Sequence, residues 1–421
     1  MQKKSQNGLA MALIVLGVAA IYVMQWGPSP LLMTIRDHFG LTSYVVINMV
    51  VNIVFITIFI GCMTGTSLEK RIGTVALYTV SLALVVAGAV IMALSGNSYV
   101  GTLAGRAILG LGNGFSIPFF GSAVMKWNDE HGRETMNTAN GMFPFFGAAL
   151  GFIAALPLTD FFGGHWEMAM AIWAAPCLIA LVIWMLVIRD DKLTEYTDEE
   201  EGPQESEIEM YKNVLGRKEI VFCIIAFICD FCCFSYISTI FPVLLFESST
   251  MSEAMAATIA AVAFPLVGLG GSFLGGVLLA KTGLRKPFLV IAQLGKTAGV
   301  CIAVLLSSVN VWFIVAGMAI FGFFNGLWMP ALYCVPMDLK GMNPARAGAA
   351  LALMMGIALL FGFIAPTVGG IATDMLASSA GLGDAIANHV FGLKWSLFAF
   401  GLLNMVGFLC MIRVPETGER R

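Results

Sequence analysis

The chain has 421 residues, of which 58% are hydrophobic and only 12% charged, for a formal net charge of −3. An ordinary soluble domain carries about 25% charged residues, so this composition excludes a water-exposed globular fold. It calls for a chain solvated by lipid.

Twelve apolar runs follow one another, at 9–32, 44–66, 73–95, 99–125, 136–158, 167–188, 219–245, 254–280, 286–308, 311–336, 347–372 and 392–412. Each exceeds the ~18 residues that cross a hydrocarbon layer as a helix. Lipid offers no partner to a free amide, and no run shows the two-residue alternation of a barrel strand, so all twelve are predicted helices. The first run is longer than a signal-peptide core and ends in Pro28, Ser29 and Pro30 rather than at a small-residue cleavage site, and it is expected to stay in the protein as helix 1. Between helices 6 and 7 the segment 189–218 leaves the membrane as a linker, with an acidic run at Asp198, Glu199, Glu200 and Glu201 and then Glu205, Glu207 and Glu209, a composition that is usually solvated.

With an even number of spans and both termini cytoplasmic, 19 of the 23 lysines and arginines fall on the cytoplasmic side, Arg36 and Lys394 fall outside, and Arg106 and Lys296 lie within helices. Cytoplasmic loops carry such an excess, so the bias sets the expected orientation, in an inner membrane. All nine cysteines sit in predicted spans, away from any oxidising compartment, and no disulfides are expected. The cluster Cys229, Cys232 and Cys233 has no companion histidine or second pair, and reads as packing rather than as a metal or redox site.

The two halves repeat. Residues 105–118 (GRAILGLGNGFSIP) align without a gap on 317–330 (GMAIFGFFNGLWMP), a shift of 212 that also carries Pro30 onto Pro242. A shift of 211 places 151–154 (GFIA) on 362–365 (GFIA). Three matches in order along the chain point to duplication, giving halves 1–188 and 219–421 around the linker.

These residues resemble the major facilitator superfamily. The loop TGTSLEKRIG (64–73) is similar to that family's G-x-L-x-D-R-x-G-R motif with Lys70 in the place of the aspartate; its counterpart from Gly276 to Lys286 keeps glycines and basic residues without the acid. Arg106-x-x-x-Gly110-x-Gly112-x-Gly114 resembles the family's helix-4 motif, and Ala365-Pro366 with Gly369-Gly370 resembles a motif that antiporters carry in helix 5. Within the family, 126–141 and 164–184 look most like the bacterial cyanate and nitrate/nitrite porter branches. The resemblance implies an all-α bundle of two pseudo-symmetric six-helix halves, in which helices 1, 4, 7 and 10 line the cavity, 2, 5, 8 and 11 flank it and 3, 6, 9 and 12 support it from outside. It implies a secondary transporter, monomeric, with a small-molecule solute, the lipid bilayer and a candidate coupling proton as its partners.

A charge within a span costs roughly 2.5 kcal/mol or more, so each one needs a partner, water or a task. Arg106 has no carboxylate within a helical turn; it is a candidate for a solute anion or a relay to Asp230, or else for backbone carbonyls or Asn113. Asp230, near the middle of helix 7 and the only acid placed beyond the first residue of a span, is the candidate proton carrier or a fixed partner of Arg106 or Lys296. Lys296 is read as a supporting charge that packs or snorkels. Tyr22, Gln25, Trp26, Asn113, Tyr236, Asn325 and Trp328, with Ser116, are the candidate solute contacts, although polar-tipped aromatics also serve as membrane anchors.

Two cations against one acid favour a small anionic solute, carboxylate-like or inorganic. The alternative is a proton-coupled exporter of neutral or cationic amphiphiles, which the Met- and Phe-rich helices accommodate. A membrane enzyme or sensor finds no support: the sequence has no P-loop and no clustered metal ligands, its four histidines (His38, His131, His165 and His389) lie in loops, and neither a cofactor, a metal nor a nucleic-acid partner is expected.

Overall fold

A computed structural model of the chain describes residues 6–41, 44–96, 98–196 and 206–419. The acidic residues Asp198, Glu199, Glu200, Glu201 and Glu205 lie outside the described residues. All regular structure among the described residues is helical. Twelve of the helices are long and apolar enough to cross a membrane: α1 Asn7–Leu31, α2 Met49–Ile72, α3 Thr74–Ser95, α4 Tyr99–Trp127, α5 Glu130–Phe161, α6 Trp166–Val187, α7 Lys218–Glu247, α8 Met255–Thr282, α9 Lys286–Leu305, α10 Trp312–Asp338, α11 Pro344–Ala380 and α12 Ala385–Arg413.

Helix ends follow local chemistry more than hydropathy. Asp129 accepts a hydrogen bond from the Gly132 amide at 2.8 Å, so α5 begins six residues before its apolar run, and Asp384 does the same for α12 through Ala387 at 3.0 Å. These polar first turns bring Glu134 into a buried position, so Asp230 is not the only enclosed acid. In the linker, Ser206 and Glu209 form a reciprocal capping box that starts a short helix, Glu207–Leu215, whose Met210 and Val214 are buried and whose Tyr211 hydroxyl donates to the Met63 carbonyl at 3.2 Å. That part of the linker is therefore docked rather than simply solvated. In α8, Pro265 lacks an amide to donate, and the turn Val262–Leu266 widens to π-helix around it.

The chain divides into two compact units, the first comprising 1–217 with 336–356 and the second 218–335 with 357–421. Their interiors repeat each other in atomic detail. A Cβ added to Gly88 of α3 would lie 2.6 Å from both the Gly105 carbonyl oxygen and the Leu109 nitrogen of α4; one added to Gly299 of α9 would lie 2.6 Å from the Gly317 oxygen and 2.7 Å from the Phe321 nitrogen of α10. The shift of 212 carries Gly105 onto Gly317 and Leu109 onto Phe321. Gly61 of α2 abuts the Leu111 carbonyl just as Gly271 of α8 abuts that of Phe323. Small residues let helices approach backbone to backbone where apolar burial gives no drive, and both units use them at the same places.

This predicts a sharp contrast in the second unit. A methyl at Gly326 would meet the Gly268 carbonyl and the Ser272 nitrogen, both backbone atoms, whereas one at Gly270 meets nothing within 4 Å. Gly326→Ala is expected to destabilise by about 1–3 kcal/mol or more through overpacking, and Gly270→Ala to leave the unfolding midpoint in detergent almost unchanged. Equal midpoints would contradict the close packing. In α4, 89% of the central window is buried against 28% in α6, where Leu178, Ile179, Met185 and Leu186 face outward, as suits a lipid-facing helix.

Candidate functional site

In the first unit, the break at the end of α1 creates the site. Pro28 has no amide, so the Met24 carbonyl one turn earlier has no helical donor. Arg106, fully buried on α4, fills that need: Nη1 donates to the Met24 oxygen at 2.5 Å, Nη2 to Gln25 at 2.8 Å, and Nε to Val50 of α2 at 2.8 Å. A cation at a helix C-terminus is also favoured by the helix dipole. Of the partners open to Arg106 in the sequence, the backbone carbonyls hold it here. The broken, proline-rich end of α1 facing a lone arginine is the signal that points to this pairing.

The same turn aims Gln25 at α4. Asn113 Nδ2 donates to Gln25 Oε1 at 2.9 Å, and the Ser116 hydroxyl donates to the Asn113 carbonyl at 2.7 Å and to its Oδ1 at 3.2 Å. Beside this array lies a small cavity lined by Val18, Tyr22, Ser116, Ile117, Phe120, Asn140 and Met355. Tyr22 stacks on Phe143 with ring centroids 6.2 Å apart, and Trp26 meets Phe55 edge-on at 5.8 Å. No carboxylate or basic side chain lines the cavity. Asn140, a polar residue inside the apolar run of α5, is a lining residue that the sequence reading passes over.

In the second unit, the acid and the lysine meet. Lys296 Nζ donates to Asp230 Oδ1 at 2.5 Å, both side chains are fully buried, and the ammonium stands 3.8 Å above the centroid of the Trp328 ring. Lys296 does not snorkel: α9 turns it inward to α7 and α10, because an unpaired ammonium at that depth costs more than the pair does. Three nearby groups keep free valences, namely Asp230 Oδ2, Trp328 Nε1 and both ends of the Asn325 amide, all buried. Tyr236 is carried elsewhere. Its hydroxyl lies 2.7 Å from Thr373 Oγ1 and 2.6 Å from Ser396 Oγ and donates to the Gly369 carbonyl at 3.2 Å, tying α7 to α11 and α12, so its polar end is spent on helix packing rather than held open for a solute.

The loop acid missing from the 64–73 motif is supplied one residue earlier. Glu69 accepts from the Ser122 hydroxyl of α4 at 2.9 Å and from the Thr74 hydroxyl at 2.9 Å, and Ser122 also donates to the Pro344 carbonyl at 3.1 Å. A carboxylate reaches these hydroxyls from position 69 because α2 continues through Ile72 and turns that side chain toward α4. In the counterpart loop the acid comes from the other end of the chain, where Glu416 accepts from the amides of Arg285 at 2.7 Å and Lys286 at 3.1 Å and caps α9. Among the described residues no group of His, Cys, Asp and Glu is arranged to hold a metal.

Twelve membrane-length helices, two repeated units and buried polar centres within them define a multi-pass membrane transporter. The family description "Major Facilitator Superfamily" matches residues 14–366, and the chain belongs to that superfamily. It is a secondary transporter, not an enzyme. Its fold is similar to that of the proton:xylose symporter XylE bound to 6-bromo-6-deoxy-D-glucose, at 15% identity and a TM-score of 0.76, covering 98% of this chain and 96% of that one. It is similar also to the E. coli fucose:proton symporter FucP, at 15% identity and a TM-score of 0.70, covering 95% and 99%. No curated protein matches the sequence significantly.

Proposed function

We propose that the protein is a proton-coupled transporter of a small anion, monomeric in the inner membrane, with Asp230 as the proton carrier and Lys296 as the charge that meets the solute. The observation that carries this reading is the fully buried Lys296–Asp230 pair over Trp328. Protonating Asp230 removes the lysine's counter-charge, and a buried charge without its partner is costly. An anion that replaces the carboxylate restores neutrality, so proton and anion favour each other's binding by linkage. The duplication supports the placement: the shift of 212 sets Asp230 on Val18 and Trp328 on Ser116, both of which line the cavity of the first unit. Helices α7 and α10 thus present the charge pair on the faces that α1 and α4 give to their cavity. Trp328 Nε1 and the Asn325 amide offer the hydrogen bonds that orient a carboxylate or an oxyanion. The proton symport named for the neighbouring folds accords with this reading.

A second reading has its own observation. The polar groups at the first unit's small cavity, Tyr22, Ser116 and Asn140, are uncharged, as suits hydrogen bonds to a neutral, hydroxyl-bearing solute, and the neighbouring folds XylE and FucP are named for xylose and fucose symport. One experiment separates them: a thermal-shift panel on purified protein with small carboxylates, inorganic anions, sugars and lipophilic cations at several pH values. A ligand at about 100 times its Kd stabilises by roughly 2.7 kcal/mol. The proposal expects stabilisation by an anion, with apparent affinity rising as pH falls by up to about tenfold per pH unit, the limit for one proton taken up. That dependence is expected to vanish in Asp230→Asn. Stabilisation by sugars at a pH-independent affinity hands the case to the second reading, and stabilisation by lipophilic cations to an exporter.

A further inference from the structure

Two amides deep in the second unit are used neither by the charge pair nor by helix packing. Gln293, one turn before Lys296 on α9, is fully buried, and neither its Oε1 nor its Nε2 has a partner. Asn404 of α12 is equally buried; its Nδ2 donates to the Gly401 carbonyl of its own helix at 3.1 Å, and its Oδ1 is unpartnered. Two contacts set the register of these antiparallel helices. A Cβ on Gly407 would lie 2.9 Å from Gln293 Oε1, and a Cβ on Gly401 would lie 2.5 Å from Val300 Cγ1. By that register Asn404 falls at the level of Lys296 along the helix pair. Cys233 of α7, one turn from Asp230, is buried as well.

Helix α12 packs on both α7 and α9, so Gln293, Asn404, Cys233 and Asp230 are buried polar groups on three neighbouring helices whose other buried residues are as apolar as Leu289, Ala292 and Val300. Leaving a buried donor or acceptor unmade is unfavourable, whereas methionine or leucine would fill the same space without that cost. Water resides in protein interiors where several such polar groups converge, and the Gln293 amide lies against the bare backbone of Gly407.

We propose that Gln293 and Asn404 hold a short file of water between α7, α9 and α12, and that this seam, rather than the solute's own path, delivers the coupling proton to Asp230. The inference rests on the reading of Asp230 as the coupling acid. In the step itself a water of the file gives a proton to Asp230 Oδ2 and is re-protonated from bulk water; an O–H bond forms on the carboxyl, its charge is lost, and Lys296 is left as an unpaired cation. The titratable groups around Asp230 are Lys296 from α9, Cys229, Cys232 and Cys233 on its own helix, and Cys410 of α12, which acts on Cys229; α10 contributes Trp328, which does not titrate.

The test needs no solute. Lys296 lies over the Trp328 ring, so protonating Asp230 changes the indole's surroundings, and a stopped-flow pH jump on the full-length protein in detergent is expected to give a tryptophan-fluorescence transient that is absent from Trp328→Phe and from Asp230→Asn. In Gln293→Met and in Asn404→Leu the transient is expected to keep its amplitude and slow by about tenfold or more, each tenfold being a modest rise in barrier. Gln293→Asn, which keeps an amide, is expected to stay near the wild-type rate. Gln293→Met replaces an unpaired amide and Asn404→Leu one bonded only within its own helix, each by a side chain of similar size, and both should purify folded. Wild-type rates in Gln293→Met and Asn404→Leu, with no transient in Asp230→Asn, overturn the seam and leave Asp230 as the coupling acid. A transient that persists in Asp230→Asn overturns both.

Discussion

Asp230→Asn and Lys296→Met, made singly, are each expected to destabilise the protein by about 3–5 kcal/mol, because each leaves the other residue without its partner at a fully buried site. The double variant Asp230→Asn/Lys296→Met is expected to recover most of that loss, since an uncharged pair of similar volume has no desolvation penalty to offset. Chemical denaturation in detergent, read as a double-mutant cycle, measures the coupling; independent sites in such cycles add within about 0.3–0.5 kcal/mol. Additive, mild single effects would show that the two charges are solvated separately, and the pair would then explain neither stability nor coupling. In proteoliposomes Asp230→Asn, which keeps Lys296 to meet the solute, should exchange solute without accumulating it against a gradient, because nothing in it carries a proton. Proton-driven uptake that survives in Asp230→Asn would place the coupling elsewhere.

Arg106→Gln is expected to produce the second large effect, a loss of several kcal/mol of stability. The guanidinium satisfies three carbonyls from two helices, one of them, at Met24, deprived of its helical donor by Pro28. An unmade hydrogen bond to a buried group costs about 1–3 kcal/mol, and a glutamine reaches at most two of the three oxygens. Arg106→Lys should recover only part of the loss, since an ammonium lacks the planar fork that addresses several acceptors at fixed angles. The informative comparison is stability against ligand response. Normal unfolding with abolished anion-induced stabilisation would make Arg106 a solute contact; the geometry predicts the reverse order, with unfolding affected first and the ligand response following only as the end of α1 loosens.

Much of this architecture is legible in the sequence because lipid imposes it. Apolar runs of membrane length have one backbone solution, so the twelve helices and the all-α class follow from composition, and the glycines aligned by the shift of 212 announce the packing that α3–α4 and α9–α10 share. Asp230 stands out for the same reason, since a carboxylate so deep in a span calls for explanation wherever it points. The residues that hydropathy misplaces are those whose position depends on capping: Glu134, drawn inward when Asp129 starts α5 early, and the helix at Glu207–Leu215, which a capping box starts inside a polar segment.

What the tertiary structure alone decides is pairing. Lys296 on α9 and Asp230 on α7 are 66 residues apart, and Asn113 and Gln25 are 88; no periodicity within one helix tells which face meets which neighbour. Glu416 reaches α9 from the far end of the chain, and Tyr236, placed by its helix among candidate solute contacts, spends its hydroxyl on Thr373 and Ser396. The sequence by itself determined how many times the chain crosses, where its polar atoms lie along each crossing and that one half copies the other, because those depend on local transfer energies. Which buried charge finds a partner, and which amide is left with none, depends on the rotation and depth of helices distant in the chain, and that is set only when their side chains pack.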